Sequence, residues 1–442
     1  MMINSQAEGN TSSNVNITTD NLNIHAGTQA FLRASSSDPP ISRVSTSRFG
    51  VQANGASFRP AISADARYVS FYSYASNLVP GDTNRTSDIF RKDLITGAIT
   101  RVSTSTFGFQ ANGASFNSAI SSSGNFVAFD SYANNLVFGD TNGRSDIFRK
   151  NVATGAINRV STSSVGGQAN GDSFLPAISS DGRYVTFESN ANNLVARDTN
   201  GNYDIFRKDL ATGATTRVST SSGGTQANNA SLDPSISGNG RLVAFDSYAT
   251  NLLPGDTNGA RDIFLKDVTT GALSRVSTRS DGGQANGASL DPSISGNGRY
   301  VVFTSDASNL VPGDTNRSSD IFRKDLFTGA ITRVSTRTGG GQANGSSFNA
   351  AVSSDGRYVA FESNASNLVL GDTNGTTDIF LKDMLTGVTT RLSASTTGVQ
   401  GNSASHDPTV ATGGSAAFDS FATNLVRGDT NGVSDIFFVR HA

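Results

Sequence analysis

The chain of 442 residues has no cysteine, no tryptophan and only three histidines. The lack of cysteine excludes disulfides, thiolate metal sites and cysteine nucleophiles. No apolar run approaches the roughly 18 residues of a membrane-spanning helix. The first residues also lack the basic and apolar regions of an export signal. We therefore expect a cytoplasmic protein that does not insert into membranes.

An excess of either charge is also missing. Thirty-four Lys and Arg residues against 36 Asp and Glu residues leave a net charge of -2. This balance lacks the basic surface that nucleic-acid binding requires, so we expect no nucleic-acid partner. Hydrophobic residues make up 36% of the chain and glycine 46 positions, which is typical of many short strands joined by turns.

A repeat of 58 residues organises the chain. The tetrapeptide R-V-S-T begins at Arg43 and recurs in steps of 58, ending as R-L-S-A at Arg391. Each unit holds four strand-like runs with β-branched and aromatic residues, and no helical period is visible. Seven units of four strands predict an all-β fold, a seven-bladed β-propeller spanning residues 41–442.

The phase of the repeat predicts how the ring closes. The repeat begins with a lone fourth strand, Ile41 to Thr46, and the chain stops after a third strand, Asp435 to Arg440. Pairing the two would complete the last blade from one N-terminal and three C-terminal strands, and it would protect both open edges. Residues 1–40 lie outside the repeat, have a more polar composition and are expected to form an N-terminal arm.

Two motifs resemble the units of TolB-like, WD-repeat-like bacterial propellers. One is S-D-G-R-Y-V-x-F-x-S, at 180–189 and 354–363, and the other is N-L-V-x-G-D-T-N-G-x-x-D-I-F, at 367–380 and 424–437. The resemblance covers residues 41–442 and implies the propeller fold. It implies no single function, because such propellers serve as interaction platforms, as peptidase-associated domains and in envelope complexes.

A D-x-N-x-x-x-D constellation is the one pattern with metal-ligand character. Oxygen ligands in a tight loop suit calcium, and we expect no other cofactor. A structural alternative is that these side chains bond their own backbone in Asx-type turns. The candidate ligands are Asp82, Asn84, Asp88, Asp140, Asn142, Asp146, Asp198, Asn200, Asp204, Asp256, Asn258, Asp262, Asp314, Asn316, Asp320, Asp372, Asn374, Asp378, Asp429, Asn431 and Asp435.

Two further features have mainly structural interpretations. The G-x-Q-A-N-G segments, as at Gln168, are expected to satisfy backbone groups between blades. Arg-Lys pairs on the third strands, as at Arg91 and Lys92, are expected to form a basic girdle that protects strand edges. First strands such as 119–121 are expected to line the channel with small neutral groups.

Catalysis has little support in the sequence. None of the three histidines belongs to the repeat, and no catalytic residue can be assigned. We therefore expect a non-enzymatic scaffold or linker propeller that joins protein partners in a larger assembly through its loop-rich face and its arm. A multivalent lectin-like or calcium-binding surface protein is the alternative, with carbohydrate as ligand. A less favoured alternative is a carbohydrate or peptide hydrolase using Glu188 or Glu362.

Overall fold

The computed structural model describes residues 41–441. Within this range the strands form seven antiparallel sheets of four strands each, which confirms the predicted propeller. The predicted arm, residues 1–40, lies outside the described residues. In the described range no helix is long and apolar enough to cross a membrane.

Each blade is a meander whose first strand is innermost. The innermost strands are Ser57–Ile62 (β2), Ser115–Ile120 (β6), Ser173–Ile178 (β10), Ser231–Ile236 (β14), Ser289–Ile294 (β18), Ser347–Val352 (β22) and Ser405–Val410 (β26), which begin blades 1 to 7. The second strands are Tyr68–Ser73 (β3), Phe126–Ser131 (β7), Tyr184–Ser189 (β11), Leu242–Ser247 (β15), Tyr300–Ser305 (β19), Tyr358–Ser363 (β23) and Ala416–Ser420 (β27).

The outer half of each blade contains the third and fourth strands. The third strands are Asp88–Asp93 (β4), Asp146–Asn151 (β8), Asp204–Asp209 (β12), Asp262–Asp267 (β16), Asp320–Asp325 (β20), Asp378–Asp383 (β24) and Asp435–Val439 (β28). The fourth are Ile99–Arg101 (β5), Ile157–Arg159 (β9), Thr215–Arg217 (β13), Leu273–Arg275 (β17), Ile331–Arg333 (β21), Thr389–Arg391 (β25) and, in blade 7, Ile41–Arg43 (β1).

Blade 7 closes the ring as predicted. Strand β1 pairs antiparallel with β28, with Ile41 opposite Val439 and Arg43 opposite Phe437. The Val44 N–H extends the ladder by donating to the Ile436 carbonyl at 2.7 Å. The sheet order β1-β28-β27-β26 therefore leaves the first and last strands of the ring paired with each other.

The core of each blade contains a pair of phenylalanines from the second and third strands. In blade 3, Phe187 and Phe206 are fully buried with ring centroids 5.8 Å apart. The strands on which they lie are largely buried on both faces because neighbouring blades cover both sides. The equivalent pairs are Phe71 and Phe90, Phe129 and Phe148, Phe245 and Phe264, Phe303 and Phe322, Phe361 and Phe380, and Phe418 and Phe437.

The Arg-Lys pairs join blades and do not form an exposed girdle. Lys92 is buried, and its Nζ donates to the carbonyls of Thr46 and Ser47 at 2.9 and 3.0 Å. Arg91 Nη1 donates to the carbonyl of Gly124 in blade 2 at 2.6 Å. Burial lowers the pKa of Lys92 to about 8. The expectation of a basic girdle that protects strand edges is thus wrong for Arg91 and Lys92, because these long side chains bond backbone carbonyls between blades.

Candidate functional site

The D-x-N-x-x-x-D loops lie between the second and third strands of each blade. In blade 3, Asp204 Oδ2 accepts hydrogen bonds from Gln226 Nε2 at 2.8 Å and from Asn200 Nδ2 at 3.1 Å. Gln226 Nε2 also donates to Asp198 Oδ1 at 2.8 Å. Arg217 Nη1 lies 3.3 Å from Asp198 Oδ1 and 3.5 Å from Asp204 Oδ2. An amide and a guanidinium therefore already serve both carboxylates.

These contacts recur around the ring. The glutamine bridges both aspartates in five units, through Gln52, Gln110, Gln168, Gln226 and Gln284. Asn200 Oδ1 accepts the N–H of Asn202 at 3.0 Å, which is an Asx-turn contact. Burial raises the pKa of Asp204. Calcium binding at these loops stays a prediction, and a calcium ion there would compete with Arg217 for the same oxygens.

A different set of residues gives the channel its chemistry. Each innermost strand carries a β-bulge, and one non-glycine residue in each bulge has a left-handed backbone. This conformation is rare for residues with side chains and is often found at functional sites. The seven residues, with φ between 48° and 53°, are Arg59, Asn117, Leu175, Asp233, Asp291, Asn349 and Asp407.

All seven bulge residues line one cavity of about 550 Å³ on the channel axis. They lie near the starts of the first strands, so the cavity opens towards the face with the long loops. Five of them are followed by proline, at Pro60, Pro176, Pro234, Pro292 and Pro408. The expectation of a channel lined by small neutral groups is therefore wrong at this end, where the bulge turns large and charged side chains inward.

Four carboxylates on the second strands support these bulges from the neighbouring blade. Glu188 Oε2 accepts the N–H of Asp233 at 3.1 Å, and Glu362 Oε1 accepts the N–H of Asp407 at 2.8 Å. Each blade contributes one residue at this position: Tyr72, Asp130, Glu188, Asp246, Thr304, Glu362 and Asp419. Asp246 and Asp419 accept the corresponding N–H groups of Asp291 and Arg59. The carboxylates thus satisfy donors that the bulges remove from the sheet.

Burial strongly perturbs the titration of these carboxyl groups. It raises the pKa of Asp130 and of Glu188 to about 7. Burial and the nearby Asp233 raise the pKa of Asp291 to about 6. The pKa of Asp246 also lies well above its ordinary value, again because of burial. Perturbed carboxyl groups gathered at one cavity are typical of functional sites.

Blades 4 and 5 place three carboxylates beside one arginine. Arg261 Nη2 donates to Asp233 Oδ2 at 3.0 Å and to Asp246 Oδ2 at 2.5 Å. Oxygen atoms of Asp233, Asp246 and Asp291 all lie within 4.8 Å of one another. Asp246 Oδ1 is buried and has no hydrogen-bond partner. This cluster therefore has more acceptors than its own donors can satisfy.

Blade 7 departs from the repeat at His406. The equivalent position in the other blades holds Phe or Leu, as at Phe348. His406 Nδ1 lies 3.1 Å from Glu362 Oε2, and Asn349 Nδ2 donates to Glu362 Oε1 at 2.7 Å. The hydrogen bond to Glu362 raises the pKa of His406. The structure thus brings together a histidine and a glutamate that lie 44 positions apart.

The channel mouth has two arcs whose predominant chemistry differs. Carboxylates also occur in blades 2 and 7, at Asp130 and Asp419, and the half-exposed Tyr248 lies in blade 4. The acidic arc, in blades 3 to 7, consists of Glu188, Asp233, Asp246, Asp291, Glu362 and Asp407. The aromatic arc, from blade 7 through blades 1 to 3, consists of Phe421, Phe58, Tyr72, Tyr74, Phe116, Tyr132, Phe174 and Tyr203. Within it the ring centroids of Phe58 and Tyr72 are 5.5 Å apart, and those of Tyr132 and Phe174 are 6.3 Å apart. Tyr132 and Phe421 remain roughly half exposed, at 48% and 43%.

Sequence reasoning identified only part of this site. Glu188 and Glu362 were candidates for a hydrolase, and both lie in the acidic arc. The bulge residues, Arg261 and His406 were missed as a group. The sequence marks these residues in one way: the repeat is otherwise uniform, but the residue at their position changes from blade to blade, as from Leu175 to Asp233.

Comparison with known proteins supports the architecture. No family model matches the chain. The curated proteins also contain no match. Among solved structures, an oligogalacturonate lyase in complex with manganese is 13% identical, with a TM-score of 0.56 over 92% of this chain and 94% of that one. The propeller domain of the trilobed protease from Pyrococcus furiosus is 10% identical, with a TM-score of 0.53 over 88% and 94%.

TolB structures are also among the matches. TolB from Acinetobacter baumannii is 14% identical, with a TM-score of 0.41 over 76% of this chain and 62% of that one. At these identities the likenesses concern the fold alone. The propeller fold that the repeat motifs imply is confirmed.

The expectation of a non-enzymatic scaffold is wrong. The matched propellers include a lyase and a protease domain, so the architecture does not separate this chain from enzyme-related propellers. The distinctive groups of this chain also lie inside the channel and not only on the loops. The chain is a seven-bladed β-propeller.

Proposed function

We propose that the protein binds a saccharide chain at the mouth of its central channel. The observation that carries the proposal is that one cavity, whose wall includes Asp233, Asp291 and Asp407, opens at a channel mouth that also carries a group of aromatic side chains. The cavity of about 550 Å³ is within the range of ordinary ligand sites. A binding site of this kind is asymmetric although the scaffold around it is repetitive.

The two arcs match the two surfaces of a sugar. Aromatic faces pack against apolar C–H groups, and half-exposed rings such as Tyr132 and Phe421 are available for that contact. Carboxylate oxygens accept hydrogen bonds, so Asp233 and Asp407 suit hydroxyl donors. Asn349 and Arg59 add donors for the oxygen atoms of the ring or the glycosidic link. Together these groups suit a ligand rich in hydroxyl groups.

An extended peptide fits the cavity less well. A peptide that adds to a sheet edge pairs its carbonyls with backbone N–H groups of the edge strand. Five of the seven inner strands have proline directly after the bulge, as at Pro234 and Pro292, and so lack that donor. The cavity therefore recognises its ligand mainly through side chains.

The test is isothermal titration calorimetry with a panel of neutral and charged oligosaccharides. We expect Tyr132→Ala to weaken binding at least about fivefold, because stacking contributes roughly 1 kcal/mol beyond buried area. Phe138→Ala is the matched control, since this aromatic ring is fully exposed and belongs to the long loop that follows the second strand of the same blade. The absence of any saccharide binding, or equal losses in both variants, would contradict the proposal.

Glycoside hydrolysis is a second candidate, favoured by the pKa of Glu188. A carboxyl group with a pKa of about 7 holds a proton at neutral pH and can protonate a leaving oxygen. Asp233, whose N–H donates to Glu188, would act as the second carboxylate that such hydrolysis uses. Glu188→Gln should then abolish release of the aryl alcohol from aryl glycosides while leaving binding measurable. If the wild-type protein turns over none of a broad panel, this candidate fails and the binding proposal stands.

A further inference from the structure

The cavity at the channel mouth is surrounded by all seven inner strands. At the level of the bulges, side chains also join neighbouring blades. Arg59 Nη1 donates to Asn117 Oδ1 at 2.5 Å between blades 1 and 2, and Asn349 Nδ2 donates to Asp407 Oδ1 at 2.8 Å between blades 6 and 7. The carboxylates described above join blades 7 and 1, blades 3 and 4, and blades 4 and 5. A ligand therefore enters this cavity along the channel axis and not from the side.

The cavity does not extend along the whole length of the inner strands. The lining residues furthest along these strands are Ser293 and Thr409, two positions beyond the bulges. At the same level, Ser235 Oγ accepts the N–H of Ile294 from the next blade at 3.0 Å. Adjacent inner strands are thus in hydrogen-bond contact where the cavity ends, and the channel narrows there.

The turns between the first and second strands form a ring at the far end of the channel. The Ser180 N–H donates to the Gly238 carbonyl, and the Gly238 N–H donates to the Gly296 carbonyl, both at 2.9 Å. A Cβ atom at Gly238 would lie 2.6 Å from Ser180 Oγ, so neighbouring turns are in direct contact. Further backbone links, at 2.9–3.2 Å, run from Ala64 to Ser122, from Ser122 to Ser180, from Asn297 to Ser354 and from Thr412 to Ala64.

The size of this ring limits what can pass through it. Backbones joined by hydrogen bonds lie about 4.8 Å apart, so a ring of seven measures roughly 11 Å between opposite backbones. Contact distances of about 3.5–4.0 Å between carbon atoms reduce the opening to roughly 7 Å. A pyranose unit has hydroxyl oxygens roughly 5 Å apart on opposite sides and needs a similar contact distance in addition. The ring therefore admits water but not a chain of sugars.

We infer that the channel mouth binds one terminus of a saccharide chain and not its interior. A chain that fills the cavity cannot continue through the ring of turns and cannot leave through the wall of strands. The unit that lies among Asp233, Asp291 and Asn349 must then be a terminal one. A groove with two open ends would accept an internal segment instead. The inference rests on the proposed saccharide binding and adds the part of the ligand that is recognised.

The experiment measures how many protein molecules bind to one saccharide chain. Linear hexasaccharides and longer soluble chains of α-1,4-glucan, β-1,3-glucan and β-1,4-xylan are titrated into the full chain by calorimetry. We expect one protein molecule per saccharide chain at either length, because each chain has one terminus of the recognised kind. For α-1,4-glucan, α-cyclodextrin has the linkage of maltohexaose but no terminus, and it should not bind.

A pair of variants tests whether the ligand reaches the depth of the cavity. Thr409→Gln places a longer side chain at the bottom of the cavity and should weaken binding at least about tenfold. Thr390→Gln makes the same change at an exposed position of the outermost strand of blade 6 and should leave the affinity unchanged. Equal melting temperatures of the two variants would show that Thr409→Gln retains the fold.

The outcomes separate the inference from the proposed function. If no saccharide binds, the proposed function fails and the inference fails with it. If the number of protein molecules per chain rises with chain length, or if α-cyclodextrin binds as tightly as maltohexaose, saccharide binding stands and recognition of a terminus is overturned. Equal affinities of Thr409→Gln and Thr390→Gln would also overturn it, because the ligand would then lie across the mouth without entering the cavity.

Discussion

Replacing Asp130 by asparagine should flatten the dependence of stability on pH. Asp130 is almost fully buried, and its Oδ1 accepts a hydrogen bond from Asn117 Nδ2 at 2.8 Å. Its Oδ2 is buried without a partner. Asparagine has the same shape and keeps the oxygen that Asn117 contacts, but it does not titrate. The variant therefore isolates the proton of one carboxyl group.

The size of the effect follows from the pKa. Burial raises the pKa of Asp130 from 3.8 to about 7 in the folded protein. The folded state thus holds the proton more tightly than the unfolded state. The resulting stabilisation is fully present below a pH of about 3.8 and is lost as the pH rises through about 7. At 1.36 kcal/mol for each tenfold change, the loss is of the order of 4 kcal/mol.

The assay is thermal and chemical unfolding between pH 4 and pH 8, roughly the interval between the two pKa values. The wild-type free energy of unfolding should fall across this interval, and that of Asp130→Asn should fall by about 4 kcal/mol less. Asp281→Asn is the control, since the N–H of Gly283 and Arg279 lower the pKa of this exposed carboxyl group and it stays ionised throughout. Parallel curves for wild type and Asp130→Asn would refute the reasoning.

Three further outcomes test other parts of the structure. Phe187→Ala should lower the free energy of unfolding by about 3–5 kcal/mol, because a fully buried ring leaves a cavity, and calorimetry would measure it. Removing residues 1–46 should lower the melting temperature more than removing residues 1–40, because only the longer truncation deletes β1. His406→Phe should remove a pH-dependent step from the binding of cationic saccharides. The hydrogen bond to Glu362 raises the pKa of His406 above its ordinary value of 6.5, so the imidazolium loses its proton only at a higher pH. In the wild type, the affinity for a cationic saccharide should rise as this positive charge is lost.

Most of the architecture could be predicted from the repeat because its uniform positions are the ones that build blades. The phenylalanine pair, the turn glycines and the phase of the first strand recur at a fixed spacing. They predict seven blades and the closure by β1. The same uniformity concealed the roles of the Arg-Lys pairs. A lysine or arginine that bonds carbonyls of another blade recurs in the repeat at the same spacing as one that faces water, so the sequence alone does not distinguish the two.

The channel site could not be predicted in the same way. A left-handed backbone at a residue such as Asp233 within a strand has no local signature, because its N–H is satisfied by a carboxylate from another blade, that of Glu188. The contact of His406 with Glu362 likewise joins neighbouring blades. The three-dimensional ring is needed to bring such residues together. Their variation among otherwise similar units is the one trace they leave in the sequence.

The pairing of β1 with β28 also has a consequence for the biosynthesis of the chain. Ser45 Oγ donates to Asp435 Oδ1 across 390 positions, so the outer strand of blade 7 is among the first described segments to leave the ribosome and its neighbour among the last. At 5–20 residues per second, roughly 20 to 80 s separate the two. During translation the nascent polypeptide therefore exposes one unpaired strand while six complete blades are already available, and this strand is paired only after β28 has been synthesised.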